Sequence, residues 1–254
     1  MIMKKISNIF GTAEKRFTIF VVIYTVSLIM IQIVKRLTDP IQISRHGNPC
    51  VYDVYIEILT YAMWTYIMPI ILFYVLYLLK HAFDSARVIR MKDARSVWIN
   101  IQRNIISSSV IIAIFITVVT FIEGYIMTGK ICNWMEQDSK AYGIVMKPLS
   151  NIPEMWQITL AYAVCIMAFV YVSSTILAYL WWVTDKSWIG YIVAIIILTI
   201  ENLCKKGLFY RFYIFPRAYY EGINVLTKIV YPLGLCVVML VLTTVTIRRK
   251  DFFR

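Results

Sequence analysis

Charged residues are scarce in this 254-residue chain. They make up 16% of it, whereas hydrophobic residues make up 60%, above the roughly 45–50% usual in soluble domains. The mean hydropathy is +0.71, and uninterrupted apolar runs follow one another along nearly the whole chain. These proportions exclude a soluble enzyme, a nucleic-acid-binding domain and a disordered protein. They predict a polytopic, all-α membrane protein with one transmembrane domain over residues 1–254.

The residues that catalytic motifs require are also missing. His46 and His81 are the only histidines, which excludes the H-E-x-x-H metalloprotease pattern. The chain has no G-x-S-x-G motif, which would mark a nucleophile elbow. Residues 124–131 approach a phosphate-binding loop, but Ile131 replaces the hydroxyl residue that would bind magnesium. We therefore predict no catalytic residue, no metal site and no cofactor bound by this chain.

Cysteine is infrequent, and none of the five cysteines forms a C-x-x-C motif, so their spacing does not predict a metal site. Cys50, Cys132 and Cys204 fall in segments that we predict to lie outside the membrane. One disulfide among these three is one interpretation, and independent thiols are the alternative.

Six apolar runs are candidates for membrane-spanning helices, because a helix needs about 18–20 apolar residues to cross the hydrocarbon core. The fifth run is the shortest and spans only if it continues to Cys204. None of the runs alternates as a membrane-spanning β-strand would. The predicted spans are residues 17–34, 58–79, 105–127, 155–183, 187–204 and 229–247.

The distribution of basic residues predicts the orientation of these spans. The net charge is +12, and six spans with both termini in the cytoplasm place more Lys and Arg on the inner side than on the outer side. Arg248, Arg249 and Lys250 directly follow the last span, where such residues have the strongest effect on orientation. The N-terminal residues 1–16 combine apolar residues at near-helical spacing with lysines, which predicts an amphipathic helix on the inner leaflet. A short basic tail that only sets orientation is the alternative.

The inner loop of residues 81–104 is basic and contains neither proline nor glycine. Its apolar residues recur at i+3/i+4 spacing, which predicts a short amphipathic helix that docks on a cytoplasmic partner. We expect Met91 and Trp98 to contribute more to this docking than Arg87 and Arg95, because central apolar side chains often dominate interfaces. A solvated loop that only enforces topology is the alternative. The residues assigned to partner coupling are Arg87, Val88, Arg90, Met91, Lys92, Asp93, Arg95 and Trp98.

The outer side carries a second group of candidate residues. Three carboxylates lie at the outer ends of predicted spans, and an aromatic segment with a proline lies between spans five and six. This segment predicts a re-entrant hairpin, and the carboxylates predict an outer gate. Ordinary interfacial carboxylates and aromatic anchors are the alternative. The candidate gate residues are Glu57, Glu123, Glu201, Phe212, Phe215 and Arg217.

This combination resembles the membrane subunits of ABC exporters of the type-2 permease class. The likeness covers the full length and is mostly architectural: six spans, an amphipathic start, a basic inner loop and an aromatic outer hairpin. It implies a connecting helix at residues 1–16, a coupling helix at residues 87–98 and re-entrant helices at residues 208–224. It also implies that a separate ATPase subunit binds ATP and magnesium, and that a second permease copy or a homologous permease completes the transporter.

The resulting expectation is an exporter subunit in the cell membrane, most simply a bacterial plasma membrane. The absence of ionisable residues from the middle of the spans argues against an ion-coupled carrier, and an amphipathic peptide, toxin, drug-like or lipid-like molecule suits such spans. One alternative is a non-catalytic membrane partner, such as an immunity or regulatory subunit. Another is a membrane-embedded enzyme that acts on lipid through Glu57, Glu123 and Glu201.

Overall fold

The computed structural model describes residues 13–37, 47–83, 94–146, 154–204 and 225–247. The structure is 88% helical, and these ranges contain no strand. The prediction of an all-α protein is therefore confirmed. The N-terminal amphipathic segment, the aromatic segment between spans five and six, and the basic C-terminal end lie outside the described residues.

The helices follow the apolar runs of the sequence. The α-helices are α1 Ala13–Leu37, α2 Val51–Glu57, α3 Met68–Ala82, α4 Ala94–Thr128, α5 Lys140–Val145, α6 Met155–Thr184, α7 Ser187–Cys204 and α8 Val225–Thr246. A π-helix, Ile58–Ile67, adjoins α2 and α3 without a break.

Four helical stretches are long and apolar enough to cross a membrane. They are Lys15–Lys35, Ala94–Thr128, Met155–Thr184 and Ile229–Thr246, and they coincide with predicted spans one, three, four and six. Two shorter apolar stretches, Thr65–Lys80 and Ser187–Glu201, fall in predicted spans two and five. These helices are compatible with a multi-pass membrane protein. A topology of six spans with both termini inside stays a prediction.

The helix of the third predicted span begins earlier than expected. We predicted a span over residues 105–127 preceded by a separate short helix, but α4 runs unbroken from Ala94 to Thr128 over 35 residues. Residues 94–123 contain neither proline nor glycine, so nothing in this stretch interrupts the helix. At 1.5 Å per residue α4 is about 52 Å long, which exceeds the roughly 30 Å of hydrocarbon in a bilayer.

The second predicted span is irregular. Pro69 lies in the first turn of α3, directly after the π-helix, so its missing N–H falls where the helix changes its hydrogen-bond spacing. Its carbonyl accepts a hydrogen bond from the Tyr191 hydroxyl of α7 at 3.2 Å. The second span is therefore a helix of mixed geometry, and α7 contacts it where the geometry changes.

Helix α6 lies at the centre of the fold. In its most apolar window 72% of the residues are buried, against 22% in α1 and 11% in α8. It packs against α3, α4, α7 and α8. Its contact with α7 is especially close at Gly190, where an added Cβ would lie 2.5 Å from the Leu177 carbonyl oxygen. Small residues permit such close helix–helix approach in membrane proteins.

Helices α1 and α3 run in opposite directions, and so do helices α4 and α6. The start of α1 meets the last turns of α3, since the ring centroids of Phe17 and Tyr77 are 4.8 Å apart. The start of α4 meets the end of α6 through Trp98 and Trp182, and the end of α4 lies against α2. The fold therefore has two ends. We call residues 47–57 and 129–145 the capped end, and Phe83, Trp98, Tyr179, Trp181 and Trp182 the aromatic end.

Candidate functional site

The capped end contains an ion pair between two residues far apart in the sequence. The Lys140 Nζ atom donates to Glu57 Oε1 at 2.6 Å. The two side chains are 11% and 16% exposed respectively, so the pair is largely shielded from solvent. Lys140 lies at the start of α5, after Ser139, whose hydroxyl accepts a hydrogen bond from the Tyr142 N–H. The pair therefore ties the short helix α5 to the end of α2.

A buried carboxylate forms a second tie at the same end. Asp53 is 1% exposed, and its Oδ1 accepts a hydrogen bond from Trp134 Nε1 at 3.0 Å. Its Oδ2 accepts the Cys50 backbone N–H at 2.8 Å, which caps the start of α2. Hydrogen bonds of this kind to a charged acceptor are stronger than neutral ones. Asp53 therefore fixes both the first turn of α2 and the loop that contains Trp134.

Backbone contacts complete the capped end. The Asn48 N–H donates to the Asp138 carbonyl at 2.6 Å, and the Lys140 N–H donates to the Asn48 carbonyl at 2.9 Å. The Asn48 side-chain amide also donates to the Asp138 carboxylate at 2.9 Å, and this bond holds the pKa of Asp138 below its usual range. The carbonyl of Asn48 further accepts the Asn133 side-chain amide at 2.8 Å. The segment before α2 is thus joined to the segment after α4 at several points.

The structure places the predicted gate carboxylates in different surroundings. Glu57 is in the ion pair with Lys140, whereas Glu123 is half-buried in α4 and Glu201 is half-buried in α7. Glu123 adjoins Gly124, which lies against Val54 of α2. A gate role for the three carboxylates stays a prediction. Phe212, Phe215 and Arg217 lie outside the described residues.

A second group of polar side chains is buried between α4 and α6. Gln102 is 2% exposed, and its Oε1 accepts hydrogen bonds from Tyr171 at 2.8 Å and from Thr175 at 3.5 Å. We call these three residues the Gln102 cluster. Within the described part of the chain the Gln102 side-chain nitrogen has no hydrogen-bond partner. An unpaired buried amide is unfavourable, and this nitrogen is shielded from solvent by the surrounding helices.

A cavity of about 200 Å³ lies beside the Gln102 cluster, between α4, α6 and α8. The exposed surface of its walls is entirely apolar, and Tyr171 belongs to both the cavity lining and the cluster. The Ser109 hydroxyl is fully buried, and among the described residues it has no hydrogen-bond partner. The lining residues are Ile106, Ser109, Met167, Tyr171, Cys236, Val237 and Leu240. An apolar cavity of this kind suits the apolar part of a small ligand.

The predicted coupling residues are described only in part. Residues 87–93, which include Arg87, Val88, Arg90, Met91, Lys92 and Asp93, lie outside the described residues. Arg95 is exposed on the first turn of α4, as a partner-facing residue requires.

Trp98 has a different position from the one we expected. It is fully buried and packs edge-on against Tyr179 at 6.1 Å and against Trp182 at 5.8 Å. Helical spacing placed it on one face of a helix with Met91, but that face of α4 packs on α6. Its contacts are internal, so we no longer expect it to enter a groove on a partner subunit.

Several of these contacts were not predicted from the sequence. Glu57 and Lys140 are separated by 83 positions, and no local pattern relates them. Gln102 and Ser109 did carry a signal, because polar side chains interrupt an otherwise apolar helix there. That signal shows that a position is polar, whereas the partners of Gln102 on α6 follow only from the packing of the two helices.

No family model, curated protein or solved structure matches this chain. The resemblance to type-2 ABC permeases therefore stays a prediction that rests on architecture.

Proposed function

We propose that this protein is the membrane subunit of an ATP-driven exporter of the ABC type. In this proposal the chain crosses the cell membrane six times, with both termini in the cytoplasm. It works with a second permease copy or a homologous permease, and a separate ATPase subunit binds ATP and magnesium. The cargo is an amphipathic molecule, such as a peptide, a toxin or a drug-like or lipid-like compound.

The cavity between α4, α6 and α8 is the observation that carries this proposal. Its walls expose only apolar atoms, and the polar groups of Ser109 and the neighbouring Gln102 cluster are buried behind them. An amphipathic molecule can place its apolar part against these walls.

Two helical segments support the six-span topology, although each is too short or too irregular to be assigned as a membrane span by itself. Helix α2, the π-helix and α3 adjoin without a break from Val51 to Ala82, which is long enough to cross. Helix α7 has 18 residues and is about 27 Å long at 1.5 Å per residue, close to the thickness of the hydrocarbon core. Helices α1 and α3, and helices α4 and α6, run in opposite directions, which agrees with successive crossings.

The energy source is inferred from the charges of the sequence. Ionisable side chains in the middle of spans serve ion-coupled transport, and the predicted spans have none there. The near-match to a phosphate-binding loop at residues 124–131 lacks the hydroxyl that binds magnesium. A separate ATPase therefore supplies the energy in this proposal.

Purification from the native membrane followed by reconstitution in vesicles tests the proposal. We expect an ATPase subunit to co-purify, and we expect ATP to drive a fluorescent amphipathic peptide across the vesicle membrane. Ser109→Phe fills the cavity and should reduce transport at least tenfold while the ATPase subunit stays bound. Ser107→Phe is the matched control, because Ser107 is exposed on the same helix, and it should retain transport.

Two results would contradict the proposal. If no ATPase co-purifies in mild detergent and ATP moves no amphipathic probe, the chain is a non-catalytic membrane partner instead. If transport occurs but Ser109→Phe and Ser107→Phe behave alike, the cavity is not the cargo site.

A further inference from the structure

Two cysteines meet at the capped end. Cys50 precedes α2 and Cys132 follows α4, and the two side chains are close enough for each thiol to shift the pKa of the other. The segments that contain the two cysteines run in opposite directions, and contacts on both sides of the cysteines hold these segments together. The Val51 N–H donates to the Lys130 carbonyl at 3.1 Å, and the Asn133 side-chain amide donates to the Asn48 carbonyl at 2.8 Å. Cys50 and Cys132 lie between these contacts, so their proximity is fixed by the surrounding chain.

The two thiols differ in access and in acidity. Cys132 is exposed, whereas Cys50 is fully buried. The hydrogen bond with Cys50 lowers the pKa of Cys132 to about 7, although the Asp53 and Glu136 carboxylates oppose this shift. Burial raises the pKa of Cys50 above its usual range. A pair with one exposed, acidic thiol and one buried thiol has an attacking and a resolving member, since the thiolate is the nucleophile in thiol–disulfide exchange.

We propose that Cys50 and Cys132 form a redox-active pair that is oxidised to an intramolecular disulfide by exchange with an external disulfide. In the first step the Cys132 thiolate attacks one sulfur of the external disulfide. The external sulfur–sulfur bond breaks, one external thiolate leaves, and Cys132 carries a mixed disulfide. In the second step Cys50 gives its proton to the external thiolate that was released in the first step, and the Cys50 sulfur attacks the Cys132 sulfur. The second external thiolate leaves and takes a proton from solvent.

The exchange balances in electrons and protons. Cys50 and Cys132 together lose two electrons and their protons, and the external disulfide is reduced to two thiols. The resulting bond joins the start of α2 to the segment after α4, beside the ties made by Asp53 and Lys140. The proposal rests on the geometry of the capped end and does not depend on the transport function. If the capped end faces outwards, as the proposed topology has it, it lies in the compartment where disulfides persist.

The test uses the full-length protein, first reduced and then treated with oxidised glutathione in detergent at neutral pH. Free thiols are then alkylated, and proteolytic peptides are mapped by mass spectrometry. We expect a Cys50–Cys132 linked peptide with the loss of two hydrogen atoms. Cys50→Ser removes the resolving thiol, so glutathione should accumulate on Cys132. Cys132→Ser should abolish the link, and Cys204→Ser, which changes an exposed cysteine outside the pair, should leave it unchanged.

The wild-type peptide map decides the question even if a variant fails to fold. The proposal is overturned if the wild-type protein retains glutathione on Cys132 without forming the link. It is also overturned if Cys132 links to Cys204, or to a second copy of the chain, at least as often as to Cys50.

Discussion

The two ends of the helix bundle are held by different kinds of contact. At the capped end charged and polar groups join residues that are far apart in the sequence, as with Glu57 and Lys140 at 2.6 Å. At the aromatic end rings pack against one another, as with Phe83 on Trp181 at a centroid distance of 4.2 Å. Rings also pack at the capped end, where Tyr52 lies edge-on to Trp134 at 5.7 Å, so the capped end combines directional contacts with buried area, whereas the aromatic end depends on buried area.

Because of this difference, the removal of one residue should destabilise the two ends in different ways. A hydrogen-bonded ion pair loses its benefit when either partner is removed, and the remaining charge is then poorly solvated. Aromatic packing loses contact area and leaves a cavity when one ring is removed. We expect the capped end to respond more to pH and to redox conditions than the aromatic end does.

Trp98→Ala should have the largest effect. It removes a fully buried ring, and truncation of a buried tryptophan costs about 3–5 kcal/mol. We expect a clear fall in the thermal unfolding temperature in detergent, measured by tryptophan fluorescence or by a thiol-reactive dye. Trp188→Ala is the control, because Trp188 is 58% exposed and should change stability little. Equal effects of the two substitutions would show that the aromatic end is not held by packing.

Lys140→Met should have a smaller effect. It keeps much of the apolar stem and removes the charge that pairs with Glu57, and we expect a loss of about 2 kcal/mol because the pair is largely but not fully buried. Lys130→Met is the matched control, since Lys130 pairs with Glu136 at the exposed surface of the same end. Thermal unfolding in detergent compares the two. A loss for Lys130→Met as large as that for Lys140→Met would contradict the idea that burial gives the Glu57 pair its value.

The smallest of the three effects concerns the rate at which Cys132 is alkylated. Stability should not change. Because its pKa is lowered to about 7, its thiolate fraction should rise about tenfold from pH 6 to pH 8 and then level off. Cys50→Ala removes the hydrogen bond, so the alkylation rate should continue to rise above pH 8. Rates of maleimide labelling, followed by peptide mapping, measure this. A pH profile that is the same with and without Cys50 would show that the pair does not interact.

Much of the fold could be predicted from the sequence because apolar runs of this length are typical of membrane-spanning helices. The runs at residues 17–34 and 155–183 both correspond to long helices. The boundaries were harder to predict: α4 extends back to Ala94 because a basic, partly exposed stretch without proline or glycine can continue a helix beyond the membrane. The π-helix before Pro69 was not predicted, since no side-chain pattern distinguishes it from an α-helix.

The candidate sites were harder to predict than the helices. The spacing of Trp98 showed that it belongs to an apolar helix face but not which surface covers that face, and the surface is α6 rather than a partner. The Glu57–Lys140 pair and the Cys50–Cys132 pair each join segments that meet only after the helices have packed. Charge and residue type identified Glu57, Cys50 and Cys132 as candidates, whereas their partners depend on the tertiary structure.

The close approach at Gly190 has a consequence for how this protein can vary. The Leu177 carbonyl oxygen occupies the space that any side chain at position 190 would need, so even alanine would push α7 away from the central helix. Outward-facing positions of α7 such as Ile192 and Ile196 can exchange one apolar residue for another. As related sequences diverge, the crossing of α6 and α7 at Gly190 is therefore the point that substitution can least displace.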